Sequence, residues 1–237
     1  MQEPLYPWPE LTRGILIERQ KTFTARVLLD DGSLVRAHCP NTGRMLTCSE
    51  PLRPVYLAHS TNPGRSTSHT WEMIEMPGSL VVVDTMVANR LALAAVCRGR
   101  VPELACYETA RPEVAFHGRS RFDLLLEAPG KPGCIVEVKS STLVEDGVAM
   151  FPDAVSKRAL AHVEELGRMG RLGFRTVMLF LIMRNDALAF RPASHVDPAF
   201  CRALSAALGD GLEVMAYRAD VGLAGVSMGH RVPVQPW

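Results

Sequence analysis

Two neighbouring segments constrain this chain more than any others: S-R-F-D-L-L-L-E at 120–127 and C-I-V-E-V-K-S at 134–140. Each contains an aliphatic run that reads as a strand, and each run is interrupted by ionisable residues, Asp123 in the first, Glu137 and Lys139 in the second. Strands that are apolar on both faces belong to a sheet covered on both sides. Charges inside such strands are expensive unless they are paired or hold a metal. Residues two apart in a strand share a face, so Glu137 and Lys139 emerge side by side in the row of Ile135, while Val136 and Val138 point the other way. The linker E-A-P-G-K-P-G-C at 127–134 has the Gly and Pro content of a tight turn and makes the two strands neighbours. Two carboxylates and a lysine converging on one point suit a divalent metal and a phosphodiester. An E-x-K on a solvated strand face would be a polar row and nothing more, so the surrounding elements have to decide between the two.

Composition narrows the classes. A chain of 237 residues with 47% hydrophobic content can build one large core or two modest ones. The net charge of +1 gives no global attraction to nucleic acid, so any such binding needs a local basic patch. Six cysteines (Cys39, Cys48, Cys97, Cys106, Cys134, Cys201) show no C-x-x-C and no Cys/His cluster at zinc spacing, and read as reduced, mostly buried thiols of a cytoplasmic protein. M-Q-E-P-L-Y-P-W-P-E is not a signal peptide, and the longest apolar run, V-M-L-F-L-I-M at 177–183, is a buried strand rather than a membrane span.

Residues 11–83 read as all-β, with strands over L-T-R-G-I-L-I-E-R, T-A-R-V-L-L and L-V-R-A-H, a D-D-G-S turn at 30–33, and further strands at 53–59 and 69–76. About five short strands in this space predict a small barrel, for example an OB fold. From residue 84 the pattern changes. A helix capped by Asp84 is followed by strands near 113–117, 120–127 and 134–139 and a helix at about 153–169 with Asp153 as its cap. Then come strands at 175–183 and 187–191, a helix at 197–208 and a strand at 212–217. This order predicts a mixed sheet flanked by helices over 84–237.

Several residues are compatible with a phosphate-rich ligand. Over 11–44 the cations Arg13, Arg19, Lys21, Arg26, Arg36 and Arg44 outnumber Glu18, Asp30 and Asp31, which gives the barrel edge a local positive excess. Asn41, Thr42 and Gly43 form a turn-like tripeptide whose amides can approach a phosphate. Phe23 and Trp71 have the chemistry to stack on bases, with core packing as the commoner use. Arg158, His162 and Glu165 fall on one face of the helix after the lysine strand, either toward the site or as a surface ion-pair stripe.

An acid in one strand, Glu-Val-Lys in the next and a helix after it resembles the core of the PD-(D/E)-x-K nuclease superfamily. In that superfamily a further acid often comes from the preceding helix or loop, here Glu108 or Glu103. Asp123 follows no proline, a departure from the motif. The blocks H-C-P-N-T-G-R-M (38–45), H-T-W-E-M (69–73), V-A-N-R-L (87–91), S-R-F-D (120–123), E-V-K-S (137–140) and F-P-D-A-V-S-K-R-A-L-A-H-V-E-E-L (151–166) resemble the sugar fermentation stimulation protein A family over about 130 residues. That resemblance implies an OB-like DNA-binding domain at 1–83, a nuclease-like domain at 84–237, non-specific DNA binding and a link to sugar metabolism. The reaction expected is Mg²⁺- or Mn²⁺-dependent phosphodiester hydrolysis, with Asp123 and Glu137 on the metal, Lys139 assisting and Glu108 completing the site. Arg19, Lys21, Arg36, Asn41, Arg44, Arg158 and His162 are the candidate DNA contacts, and a homodimer is compatible with cutting two strands. The rival expectation is a regulator that binds DNA without cutting it. An enzyme acting on a sugar phosphate would need a glycine-rich phosphate loop, and the chain has none.

Overall fold

The computed structural model describes residues 3–62, 64–116 and 120–237, with the side chain of residue 120 excepted. A two-residue strand, β1 (Tyr6–Pro7), precedes a run of six: β2 (Leu11–Gln20), β3 (Thr24–Leu29), β4 (Leu34–His38), β5 (Pro54–His59), β6 (His69–Met76) and β7 (Ser79–Val82). The order β4-β3-β2-β5-β6-β7 is antiparallel throughout, and a parallel contact of Ala37 with His69 and His38 with Thr70 joins β4 to β6. Five strands thereby close into a barrel, as the strand spacing predicts, with β7 appended. Alternation explains the closure: Leu16, Ala25, Val27 and Ala37 are fully buried inside with Trp71 and Ile74, while Arg26 and Arg36 face out. Gly14 is required where β2 meets β3, since a Cβ there would lie 2.6 Å from Val27 Cγ1 and 2.8 Å from the Leu28 carbonyl.

The second unit begins with α1 (Met86–Cys97), a short 3-10 turn (Pro102–Leu104), β8 (Thr109–Phe116), β9 (Ser120–Glu127) and β10 (Cys134–Ser141). It continues through β11 (Leu143–Glu145), β12 (Val148–Phe151), α2 (Lys157–Arg171), β13 (Arg175–Ile182), β14 (Ala189–Pro192), α3 (Pro198–Gly209), β15 (Glu213–Gly222) and β16 (Gly225–Arg231). The large mixed sheet has the order β1-β16-β15-β13-β10-β9-β8, with β10, β13 and β15 mutually parallel. Cys134, Val136 and Val138 of β10 pack with α1 residues Val87, Ala88 and Leu91 on one face. Ile135 packs with α2 residues Ala159, Val163 and Leu166 and with Phe200 and Leu204 of α3 on the other. The row of Ile135 therefore faces α2.

Several expectations need correction. Tyr6–Pro7 pairs with β16 rather than joining the barrel, so residues 1–83 are not all barrel. Strands β7, β11, β12 and β16 were not anticipated, although Asp146 and Gly147, with φ of 49° and 76°, form the Asp-Gly turn that links β11 to β12. The strand expected near 113–117 is the end of β8, and its residue 117 lies outside the described residues. Asp153 does not cap α2: Ser156 does, its Oγ accepting from the Ala159 amide at 3.1 Å. Asp84 lies one residue outside the expected place, and its carboxylate accepts from the Met86 amide at 2.8 Å. All six cysteines are free, with only Cys97 and Cys106 exposed. No helix among the described residues is long and apolar enough to cross a membrane.

The barrel is fastened to the sheet by buried polar contacts. Arg184, 5% exposed, forms a double ion pair with Asp186 and donates to Thr47 Oγ1 at 3.0 Å and to the Thr142 carbonyl at 2.8 Å. Met45 donates its amide to Asp153 at 2.8 Å, and a Cβ on Gly43 would sit 2.5 Å from both oxygens of that carboxylate. Removing one partner of a buried pair strands the other. Arg184→Met should lower the unfolding free energy by about 3 kcal/mol in urea titrations. Arg53→Ala, which breaks an exposed pair with Glu50, should change it by less than about 1 kcal/mol.

Candidate metal centre and nucleic-acid interface

Glu137 lies in the middle of β10 with 1% exposure, and two side chains, Lys139 and His162, reach its carboxylate. Lys139 Nζ donates to Glu137 Oε1 at 2.5 Å, and His162, projecting from α2, contacts the same oxygen through Nδ1. His162 Nδ1 and Lys139 Nζ are 3.4 Å apart. The other oxygen, Glu137 Oε2, is buried and has no hydrogen-bond partner among the described residues. Burial pushes the Glu137 carboxyl up, but the contact with His162 and the charge of Lys139 outweigh it, and the net shift is downward.

Asp123 stands where β9 parts from β10. The two strands are paired from Cys134–Leu126 to Val136–Leu124, after which the Val138 amide donates to Asp123 Oδ2 at 2.8 Å. Across β8 the ladder skips as well: Pro112 pairs with Leu124 and Val114 with Phe122, and Glu113 between them has φ of 53°. The missing pair is Glu113 with Asp123, and the Asp123 carboxylate turns to the Val138 amide. Its Oδ1 accepts from Asn89 Nδ2 at 2.6 Å. Burial, with the Glu137 charge added, raises its pKa to about 6.

The expected third acid is not at this place. Glu108 is exposed, and its amide bonds to the Glu127 carbonyl at 2.9 Å, four residues beyond Asp123 along β9 and so about 13 Å away. Glu103 is taken by Tyr217 and Arg231, both at 2.6 Å. The residue that α1 supplies is Asn89, which sequence reasoning missed; it lies inside V-A-N-R-L, and its neutral side chain gives no signal in a search for acids. No group of three or more His, Cys, Asp or Glu side chains is placed to hold a metal ion among the described residues. Two carboxylates nevertheless fit Mg²⁺, which keeps several waters and needs few protein oxygens. The unpartnered Oε2 of Glu137 is the atom such an ion would satisfy.

The basic candidates divide by their contacts. Arg19 is structural, its guanidinium donating to the carbonyls of Thr22, Asn41 and Arg44 at 3.0, 2.8 and 3.2 Å. Asn41 is buried and equally committed, with Nδ2 on the Val83 carbonyl and Oδ1 on the Gly43 amide. Arg13 pairs with Asp30, and Arg26 with Glu18. Lys21, Arg36, Arg44 and Arg158 are exposed, and Arg158 precedes His162 by one helical turn. Glu165 turns away from that face to Arg168. Trp71 is fully buried and donates to the Met73 carbonyl at 2.9 Å, whereas Phe23 is 52% exposed.

Family comparison agrees with this architecture. The family model described as the sugar fermentation stimulation protein N-terminal OB domain matches residues 17–83, and the model of the RE domain matches 86–225. The chain belongs to the sugar fermentation stimulation protein family. A homologue from Pelobacter propionicus is 46% identical over 226 residues, covering 95% of this chain and 98% of its own. One from Geobacter sulfurreducens is 44% identical over 234 residues, covering 99% and 97%. A solved structure of Pyrococcus furiosus SfsA in complex with Ca²⁺ superposes with a TM-score of 0.90 at 27% identity, covering 99% of this chain and all of that one. The OB barrel followed by a restriction-endonuclease-like domain is thus the fold of the family.

A second pair of carboxyls was not anticipated. Glu72 is the extra residue of a bulge in β6, between Trp71, opposite Leu57, and Met73, opposite Tyr56. It is 6% exposed, and its Oε2 has no partner among the described residues. Burial, then the Asp84 charge, raises its pKa to about 7, with Arg90 and Arg65 opposing. A carboxyl raised in the folded state stabilises the fold while protonated, and loses that contribution as pH rises from its unfolded value through about 7. Glu72→Gln should therefore raise the melting temperature more at pH 8 than at pH 5, and thermal scans at both pH values check it.

Proposed function

We propose that this protein binds DNA with little sequence preference and hydrolyses phosphodiesters with Mg²⁺ or Mn²⁺ at Asp123, Glu137 and Lys139. The observation that carries the reading is the buried Glu137 carboxylate, with one oxygen on Lys139 and His162 and the other without a partner. Asp123 and Glu137 would hold the ion, which supplies Lewis-acid stabilisation of phosphoryl oxygens and an acidified water. Asn89 and the Val138 amide fix the Asp123 carboxylate from two sides, so a ligand position is set before any ion arrives. Lys139 holds its positive charge beside the same point, where charge develops on the phosphoryl oxygens. His162 is positioned to move a proton or contact a phosphate, and Arg158 one turn earlier presents a further cation along the same face.

A second reading, a regulator that binds DNA without cutting it, is favoured by Asn89 standing where a third acid was expected and by the existing saturation of Glu137 Oε1. Incubation with single- and double-stranded DNA in Mg²⁺, Mn²⁺ or EDTA separates the two. Asp123→Ala should abolish metal-dependent cleavage and leave DNA affinity within about twofold, since one substituted carboxylate lies outside the basic surface. Equal loss of cleavage and affinity in that variant excludes a separate catalytic site.

Binding is assigned to exposed cations alone. Lys21→Ala combined with Arg36→Ala should make the slope of log affinity against log salt shallower by about 1–2, one unit for each lost phosphate contact. An unchanged slope removes the barrel face from the interface.

A further inference from the structure

We propose that Phe23 and His38 form a stacking platform for unpaired nucleobases, which makes the outer face of β3 and β4 a surface for single-stranded nucleic acid. The proposal rests on the DNA-binding reading above and names the form of strand this face takes.

Phe23 is the most exposed aromatic side chain among the described hydrophobic residues, at 52%. Its ring lies nearly parallel to that of His38, with an interplanar angle of 18° and centroids 6.4 Å apart. Two features hold the pair in place. The Cys39 amide donates to the Phe23 carbonyl at 2.9 Å, and Arg19 pins the preceding Thr22 carbonyl to the 41–44 loop. Lys21 at the turn has φ of 54°, the left-handed conformation of a tight turn. A rigid exposed ring loses little entropy when a base stacks on it.

Register supplies the surroundings. Thr24 pairs with His38 and Arg26 with Arg36, and Gln20 with Thr24, so Gln20, Thr24, Arg26, Arg36 and His38 share the outer face while Ala25, Val27 and Ala37 face the core. Lys21, Arg36 and Arg44 are exposed, and Lys21 and Arg36 line one hollow with Gln20 and Thr24. Cations for phosphates beside flat rings for bases are the two halves of single-strand recognition. A duplex hides its base faces in the stack and could use only the cations.

The test is fluorescence anisotropy at fixed salt with a labelled oligothymidylate and a labelled duplex of equal length, for the wild type, Phe23→Ala and Phe23→Trp. Phe23 is exposed, so both variants should keep the wild-type circular dichroism and melting temperature. Phe23→Ala should weaken the oligothymidylate about tenfold and the duplex less than about twofold, and Phe23→Trp should restore the single-strand affinity. Equal weakening of both forms, no effect on either, or a wild type that binds duplex alone overturns the platform and leaves the DNA-binding reading standing. A wild type that binds neither form removes both.

Discussion

Burying the Glu137 carboxylate in an interior strand of the sheet is the constraint around which the rest of the second unit is arranged. Taking a carboxylate out of water costs several kcal/mol, and only close, well-oriented partners offset it. Lys139 reaches it because residues two apart in β10 share a face; His162 reaches it because the row of Ile135 is the face covered by α2. The compensation stops at one oxygen. Glu137 Oε2 keeps its full desolvation cost, and an oxygen left in that condition beside Asp123 has a ready partner in a cation.

The same logic runs through the contacts between barrel and sheet. Arg184 is buried, and its guanidinium is satisfied only by combining Asp186 with Thr47 from the barrel side and Thr142 from the end of β10. Asp153 spends its carboxylate on the Met45 amide, against a glycine whose missing Cβ makes room. The first tie holds the 41–47 loop against the end of β10, and the second holds it against the segment that follows β12. The loop also supplies two of the three carbonyls that Arg19 gathers, with Thr22 at the β2–β3 turn as the third, so one loop joins the barrel face to the second unit.

What could be read from the residues follows from which interactions are local. Five short strands over 11–83 were enough for the barrel, and the E-V-K segment was enough to bring Glu137 and Lys139 together, because strand geometry alone puts residues two apart on one face. Asp-Gly at 146–147 was legible and overlooked. Glu108 was chosen by chemistry and excluded by distance, since the strand that follows carries it away from Asp123. Arg19 and Asn41 looked like ligand residues because their polar groups are the same ones that satisfy backbone carbonyls and amides, and only the fold shows those groups already used. Phe23 was assigned to the core by frequency, yet it sits at a turn tip, beyond the last residue whose alternation points inward.

Asn89 bears on how charge is balanced at the site. Asp123 and Glu137 bring two negative charges against the one that Lys139 supplies, and burial, with the Glu137 charge added, already pushes the Asp123 carboxyl up to about 6. A third carboxylate in place of Asn89 would raise the Asp123 carboxyl further. An amide avoids that: it orients Asp123 by donating to Oδ1 and adds no charge of its own.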